Sequence, residues 1–228
     1  PGMVVVPNAD LKPEYAYNTE LSIQLNFEDI LLLDLTGYYT HLEDALVRRD
    51  FQLNGQSIID YQGEPSQVQA IRNAAFAYVY GFEAGAELRF QEDLKLVSQL
   101  SITEGKEELD NGDKAPMRHA APLFANAHLI WKKNKLKVDL FGEYNGELSY
   151  EELAPSEQDK PYLYAFDARG NPYSPEWYTL NLAIQYKISK ALLATAALEN
   201  ITDQRYRTYS SGISAAGRNL IVSLNYQF

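Results

Sequence analysis

Apolar and polar residues alternate with a period of two along most of this chain, and the pattern is clearest in its last segment. Counting back in steps of two, the apolar positions of that segment are Phe228, Tyr226, Leu224, Val222 and Leu220. The positions between them are polar apart from Ile221. This alternation indicates a β-strand, since successive side chains of a strand point to opposite faces. A transmembrane β-strand needs about 9–11 residues, with apolar groups towards lipid and polar groups towards the lumen. The segment is therefore typical of a strand that crosses a membrane.

About nine such segments follow one another, joined alternately by very short and by long connections. The short turns fall at Glu28-Asp29, Gln91 to Asp93, Lys132 to Lys135 and Ser189-Lys190. The long polar connections are predicted over 44–73, 105–117 and 149–175, and the eighth strand is predicted from Leu192 to about Tyr206. This alternation is typical of outer-membrane barrels, with short periplasmic turns and long extracellular loops. The pattern predicts an all-β fold: an antiparallel up-and-down transmembrane β-barrel segment of about nine long strands.

An odd number of strands has a consequence for closure. The first and last strands would run in the same direction, whereas single-chain bacterial barrels usually have an even count so that these strands pair antiparallel. We therefore expect residues 1–228 to form the C-terminal portion of a larger barrel. A soluble β-sandwich also has many strands with turn signals, but its strands average only about 5–6 residues.

Composition supports the membrane interpretation and excludes some partners. The chain has 17 Tyr, which suit both membrane interfaces because the ring is apolar and the hydroxyl is polar. Its mean hydropathy of -0.35 is that of a soluble protein, but window averages hide the lipid face of an alternating strand. The net charge of -11 argues against a nucleic-acid partner, which requires a basic patch. The absence of Cys excludes a disulfide framework.

Four stretches, taken together and in order, resemble the C-terminal third of a TonB-dependent outer-membrane receptor. They cover residues 7–14, 81–84, 198–206 and 217–228. The first stretch departs from the family pattern at Ala9-Asp10, and the third carries Ile201-Thr202 in place of the usual pair. The resemblance implies a barrel of about twenty-two strands around an N-terminal plug, with the plug and the earlier strands outside this chain.

The resemblance also implies a function, which we state as an expectation. It is a receptor of the cell outer membrane that takes up a scarce nutrient (a metal chelate, cobalamin or an oligosaccharide) with energy supplied through TonB. No step breaks a covalent bond, so no enzyme activity and no cofactor are expected. The expected partners are outer-membrane lipid, the TonB complex through the missing N-terminal part, and an extracellular small-molecule or glycan ligand. The alternatives are a passive porin or substrate-specific channel, an adhesion or structural barrel, and a soluble all-β binding domain.

The long loops carry the most plausible recognition chemistry. Aromatic rings with interspersed charges can stack on planar chelates or sugars while hydrogen-bonding their edges. The same residues could also pack the loops together or form an interfacial girdle. The candidate ligand-contacting residues are Tyr150, Tyr162, Tyr164, Arg169, Tyr173 and Trp177.

Three other features have a simpler explanation than a catalytic or metal site. The histidines His41, His119 and His128 are scattered without ligand spacing. Residues 110–113 contain oxygen ligands and a glycine but lack the length and terminal glutamate of a calcium loop, so a hairpin turn is favoured. Several acidic residues alternate with lipid-facing ones, which predicts a hydrated lumen wall rather than the paired acids of a glycosidase. They are Glu20, Glu83, Glu87, Glu143 and Glu147.

The terminal alternation suggests a second role for the last strand. It resembles the signal that the barrel-assembly machinery recognises, by strand addition in which backbone bonds give affinity and alternate side chains give specificity. The residues of this predicted assembly signal are Leu220, Val222, Leu224, Tyr226 and Phe228.

Overall fold

The computed structural model describes residues 2–73, 76–109, 111–158 and 160–227. In chain order the strands of this part are β1 (Gly2–Val6), β2 (Tyr15–Phe27), β3 (Leu31–Glu43), β4 (Leu46–Asp50), β5 (Ile58–Tyr61), β6 (Glu64–Asn73), β7 (Phe76–Gln91), β8 (Leu94–Glu108), β9 (Lys114–Pro116), β10 (Phe124–Lys133), β11 (Leu136–Asn145), β12 (Ala165–Phe166), β13 (Pro172–Tyr173), β14 (Trp177–Lys187), β15 (Leu192–Glu199) and β16 (Asn219–Tyr226). A one-turn helix, α1 (Pro155–Gln158), and two 3₁₀ turns, Tyr150–Glu152 and Pro161–Leu163, lie between β11 and β12. Within the described ranges, no helix has the length and apolar character needed to cross a membrane.

Nine long strands form one antiparallel sheet in the order β2-β3-β7-β8-β10-β11-β14-β15-β16, with the short β9 paired to β8. Every pairing in this sheet is antiparallel, and strands that are neighbours in space follow one another along the chain once the loop strands are set aside. The predicted up-and-down order of about nine long strands is confirmed. The four short turns all lie at one end of the sheet, and the long loops lie at the other.

The register places polar and apolar residues in separate rows across the sheet. One continuous row of paired positions is polar apart from a single glycine, and it runs through Gln24, Asp34, Gly85, Gln99, Asn126, Glu143 and Thr179. The adjacent row, on the opposite face, runs through Ile23, Leu35, Ala84, Leu100, Ala125, Tyr144 and Tyr178. This is the period-two pattern of the sequence transferred to a whole sheet, with a water-facing wall and a lipid-facing wall.

Hydrogen bonds and ion pairs between side chains line the polar face. The Gln24 amide donates to Asp34 at 2.7 Å, and the Asn126 amide donates to Gln99 at 3.3 Å. The acidic residue Glu87 accepts from Arg89 and from Lys95, each at 2.8 Å. These contacts hold charges on a hydrated wall, so they match the expected lumen wall.

The connection predicted as a polar excursion over 44–73 contains three strands. The strands β4 and β5 pair antiparallel with β6, and β1 pairs parallel with β6 along its other edge. Alternate positions of β6 are buried, and Val68 and Ala70 pack with Val6 in a small core. The sequence prediction missed this sheet because its buried residues are small and stand among polar ones, which gives a weak alternation of apolar and polar positions. The buried face is narrow, so small residues are enough to cover it.

The eighth strand ends earlier than the sequence predicted. The strand β15 stops at Glu199 rather than near Tyr206, because Asn200 adopts a positive φ of 47° and turns the chain. The Asn200 amide then donates to the carbonyls of Gln204 and Ala216, at 2.8 and 3.1 Å. Asparagine tolerates the left-handed region, and its side chain can hydrogen-bond nearby backbone groups that the strand ladder no longer pairs. The strand therefore ends at this residue.

The charged tip, described over residues 111–113, belongs to a hairpin between β8 and β9. The Gly112 amide donates to the Leu109 carbonyl at 2.9 Å, and Gly112 has a φ of +84°, which favours glycine. Asp110 lies outside the described residues. No group of three or more potential metal ligands occurs in the described ranges of the chain.

The last described strand carries the predicted assembly signal on one face. Four of its residues, Leu220, Val222, Leu224 and Tyr226, are each at least two-thirds exposed along the free edge of the sheet. Phe228 lies outside the described residues. The role of this face in assembly stays a prediction.

Candidate functional site

Three long loops meet above the inner wall of the sheet. They connect β8 to β10, β11 to β14, and β15 to β16. The last two enclose a cavity of ≈ 290 Å³, which we call the loop pocket. Its walls are Leu163, Tyr164, Ala165, Pro175, Glu176, Trp177, Arg205, Tyr206, Arg207 and Ser214.

The aromatic wall of the loop pocket is built on the first residue of β14. Trp177 shares a face with Thr179 and Asn181, which puts its side chain on the polar, inner side of the sheet. Its ring stacks on Tyr206, with the ring centroids 4.3 Å apart. Trp177 is only 7% exposed, and its indole N–H has no hydrogen-bond partner among the described residues. A buried donor without a partner is costly, so the packing of the Trp177 ring must outweigh this cost.

The turn at Asn200 brings Tyr206 onto Trp177. The Asn200 backbone amide donates to the Asn181 side chain at 2.8 Å, which ties the turn to β14. The Gln204 side chain accepts from the Tyr178 amide at 3.1 Å. The 198–206 segment thereby fixes the position of the Tyr206 ring.

A buried carboxylate joins all three loops beside the pocket. Glu157, in α1, is fully buried, and it accepts a hydrogen bond from the Tyr209 hydroxyl at 2.5 Å. The guanidinium of Arg118 lies 3.8 Å from its other oxygen. Tyr164 packs against Tyr209, with the ring centroids 6.5 Å apart, and also lines the loop pocket. We call Arg118, Glu157, Tyr164 and Tyr209 the Glu157 cluster.

The Glu157 cluster keeps its phenols neutral. Burial, and then the neighbouring Glu157 carboxylate, raises the pKa of Tyr164 and of Tyr209 far above the usual value. The Tyr164 hydroxyl is itself buried without a hydrogen-bond partner among the described residues. Since the cluster links three loops through one fully buried carboxylate, it holds these loops together beside the loop pocket.

Two arginines give the loop pocket its charge. Arg207 donates to the Tyr162 carbonyl at 3.3 Å, and both Arg205 and Arg207 are exposed. Within the described ranges, no carboxylate pairs with either guanidinium. The Glu176 carboxylate, also in the wall, accepts from the Tyr144 hydroxyl at 2.6 Å. The pocket therefore combines an aromatic floor with two exposed guanidinium groups, which suits a planar or aromatic ligand rich in oxygen acceptors.

Two of the six predicted ligand-contacting residues, Tyr164 and Trp177, meet in the loop pocket. A third, Tyr162, reaches it through its backbone carbonyl, and its own ring is exposed. The remaining three lie elsewhere in the same loop: Tyr150 in a 3₁₀ turn, Arg169 in a tight turn closed by Asp167, and Tyr173 in the short hairpin of β12 and β13.

Sequence reasoning missed the half of the pocket contributed by the β15–β16 connection. Arg205, Tyr206 and Arg207 were not among the candidates, because the eighth strand was predicted to extend to about Tyr206, beside them. The asparagine at 200, followed by Thr202 and Asp203, is a turn signal that could have ended that strand earlier.

Comparison with known families agrees with this architecture. The family described as TonB dependent receptor-like, beta-barrel matches residues 1–201. Because the match covers most of the chain, this protein belongs to that family. A barrel of this family lies in the cell outer membrane.

Characterised relatives share low identity over nearly the whole chain. The iron-regulated outer membrane virulence protein of Vibrio cholerae serotype O1 is 23% identical over 222 residues, which is 97% of this chain and 32% of that protein. The heme/hemopexin utilization protein C of Haemophilus influenzae is 25% identical over 234 residues, covering 98% and 30%. The chain thus spans about a third of the length of these relatives.

Solved structures show the same fold. The siderophore receptor PirA from Acinetobacter baumannii superposes with a TM-score of 0.73 at 20% identity, over 98% of this chain and 33% of that one. The copper transporter OprC gives a TM-score of 0.72 at 18% identity, over 96% and 32%. At this identity the structural likeness concerns the fold alone.

Proposed function

We propose that this chain is the ligand-gathering part of an outer-membrane receptor that imports a metal chelate with energy from TonB. The relatives with names that state a role are iron-regulated or serve heme utilisation, and the similar folds include siderophore and copper receptors. The TonB complex would act through a segment outside this chain. Such uptake changes no covalent bond, so the proposal includes no catalytic residue.

The observation that supports this function is the loop pocket. Its floor is the Trp177–Tyr206 stack, and the exposed guanidinium groups of Arg205 and Arg207, which form no ion pair among the described residues, stand at its rim. Chelates such as catecholates, hydroxamates and haem propionates carry flat ring systems or anionic oxygens, which are the groups these side chains bind. A neutral oligosaccharide would leave the guanidinium charges without a partner, so we favour the anionic chelate.

The direct test measures chelate binding to the full-length receptor that carries this chain. Replacing Arg205 and Arg207 by Gln should raise the Kd for an anionic ferric chelate about tenfold or more, since a hydrogen bond to a charged group contributes about 1.5–3 kcal/mol. Arg169→Gln is the control for loss of a loop charge, because this exposed arginine lies in the β11–β14 connection outside the loop pocket. Equal Kd values for the double variant and the control would contradict the proposed role of the pocket.

A passive channel is the second candidate. It would use the same barrel but would not depend on TonB. Uptake of the chelate by cells that carry the receptor, compared with and without a functional TonB system, separates the two functions: only the receptor loses uptake when TonB is absent.

A further inference from the structure

The four short turns at the periplasmic end differ sharply in charge. The β2–β3 turn carries Glu28 and Asp29, and the β7–β8 turn carries Glu92 and Asp93. The two turns further along the sheet carry only lysines among their charged residues, although the whole chain has a net charge of -11. These residues, which we call the lysine rim, are Lys132, Lys133, Lys135, Lys187 and Lys190.

The two lysine-bearing turns lie side by side. The register places Lys133 in a lipid-facing row and Lys132, through its pairing with Lys137, in the polar row of Gln185. The Lys187 backbone amide donates to the Lys135 carbonyl at 2.9 Å, which holds the β10–β11 and β14–β15 turns side by side. Lys135, Lys187 and Lys190 line a shared open recess of ≈ 920 Å³, together with Asn225 and Tyr226. All five lysines of the rim are exposed.

Acidic groups from the surrounding elements do not neutralise the rim. Within the described part of the chain, no carboxylate forms an ion pair with any of its five lysines. The nearest acidic turn residue, Asp93, accepts from the Trp131 indole N–H at 3.2 Å and through its backbone carbonyl from the Lys132 amide at 2.7 Å. Lys137, further up β11, is the lysine that pairs with Asp139, and it is not part of the rim.

The rim lies at the level where the lipid-facing wall changes from aliphatic to aromatic. Lys133 pairs with Leu136, which pairs with Tyr186, so all three belong to one lipid-facing row. Trp131 and Tyr226 stand in the neighbouring rows of the same face. Amphipathic rings at this depth mark the headgroup region of a bilayer, and lysine side chains there extend their ammonium groups to the same region.

From this arrangement we infer that the lysine rim, through Lys133 and the exposed turn lysines Lys135 and Lys190, binds the phosphate groups of anionic phospholipids in the periplasmic leaflet of the outer membrane. Exposed ammonium groups beside interfacial aromatic rings attract anionic headgroups, and each lysine near such a surface contributes measurably. This role is separate from ligand uptake, because the lysine rim would select the lipids that surround one side of the barrel. The aromatic rings of Trp131, Tyr186 and Tyr226 at the same depth favour a lipid over a soluble acidic partner.

The test measures lipid selectivity with the full-length receptor in bilayers of phosphatidylcholine and phosphatidylglycerol. Electron paramagnetic resonance of spin-labelled lipids gives the relative affinity for the two headgroups. The test variant replaces Lys133, Lys135 and Lys190 by Gln. The control replaces Lys12, Lys106 and Lys114 by Gln, which removes the same charge from the extracellular end.

We expect the wild type to prefer phosphatidylglycerol and the rim variant to lose at least about fivefold of that preference, the factor that one interfacial lysine supplies. The control should keep the preference. High salt should weaken the wild-type preference, because the rim charges are exposed and screened. This salt experiment needs no variant, so it tests the proposal even if the triple substitution disturbs folding.

Three results would overturn the inference. The first is a wild type without headgroup selectivity, or with a selectivity that salt does not change. The second is a rim variant that keeps the full preference. The third is a control that loses as much as the rim variant, since the preference would then follow net charge rather than this surface. A soluble acidic protein bound by the rim in the absence of lipid selectivity would assign the surface to that class of partner instead.

Discussion

At the scale of single residues, Asn200 determines how the loop pocket is built. Its positive φ ends β15, and its side chain satisfies the Gln204 amide, the Gln204 carbonyl and the Ala216 carbonyl. These bonds place the Tyr206 ring over Trp177. One residue thus converts the end of a strand into one wall of a site.

Replacing Asn200 by Ala should destabilise the receptor by about 3 kcal/mol, because three side-chain hydrogen bonds are lost and alanine is disfavoured at a positive φ. Asn200→Gly loses the same bonds without the conformational cost, so it should be about 1 kcal/mol milder. Urea unfolding from lipid vesicles measures both values. If the two variants had equal stability, the positive φ would not be an energetic constraint at this position.

The buried phenols of the Glu157 cluster predict an alkaline transition. Their pKa values are raised above the usual value of 10.0, so the folded state favours the neutral phenols. The stability that they contribute is therefore fully present below about pH 10 and is lost as the pH rises above it.

Tyrosinate absorbance, measured against pH, tests this transition. The difference between the wild type and Tyr209→Phe should show a tyrosine that ionises well above pH 10. Tyr162→Phe is the control, because Tyr162 is 71% exposed and lies outside the Glu157 cluster. A Tyr209→Phe difference curve without a tyrosine that ionises above pH 10 would show that Tyr209 is not held in the Glu157 cluster.

At the scale of secondary-structure elements, the strands keep the inside–outside assignment that their sequences predict. In β14, Leu182 lies on the lipid-facing side and Gln185 on the polar side, and each pairs with residues of its own class on neighbouring strands. The alternation survives because both faces are wide and uniform: one meets hydrocarbon and the other meets water.

Leu182→Arg should therefore cost about 2–4 kcal/mol of folding free energy in a bilayer, because it places a charge near the lipid midplane. Gln185→Arg, three residues away on the polar wall, should change the stability little. The free energy of unfolding in lipid vesicles gives the comparison. Equal costs at the two positions would mean that the inside–outside assignment is wrong.

At the scale of the whole molecule, the sheet has two free edges. The strands β2 and β16 stand at its ends, and every residue of β2 is exposed. A long edge of unpaired backbone groups recruits other strands, and a membrane span tolerates it only when it is paired. The polar inner wall is likewise open between β2 and β16.

We therefore expect the isolated 228-residue chain, refolded in detergent, to associate through its edges, whereas the full-length receptor should stay monomeric under the same conditions. Light scattering coupled to gel filtration distinguishes the two. A monodisperse monomer of the isolated chain with its strands formed would show that the edges satisfy each other or are shielded.

The sequence by itself determined the large antiparallel sheet of this protein, with its lipid-facing and polar faces. The number of long strands, their order, their turns and the side of each residue all follow from a period of two, because local geometry and a uniform environment on each face leave one consistent register. Residues such as Leu182 and Gln185 could be assigned without any structure.

Only the tertiary structure decided the loop pocket and the small sheet beside it. Trp177, Tyr206 and Arg207 come from two connections far apart in sequence, and Glu157 joins a third through Arg118. Their meeting depends on contacts between loops that have no periodic pattern, and on one asparagine that stops a strand. The sequence therefore indicated which loop was rich in recognition chemistry. The packing of the loops on one another then decided that Tyr164 and Trp177, of its six candidates, line the pocket and that Arg205 and Arg207 join them.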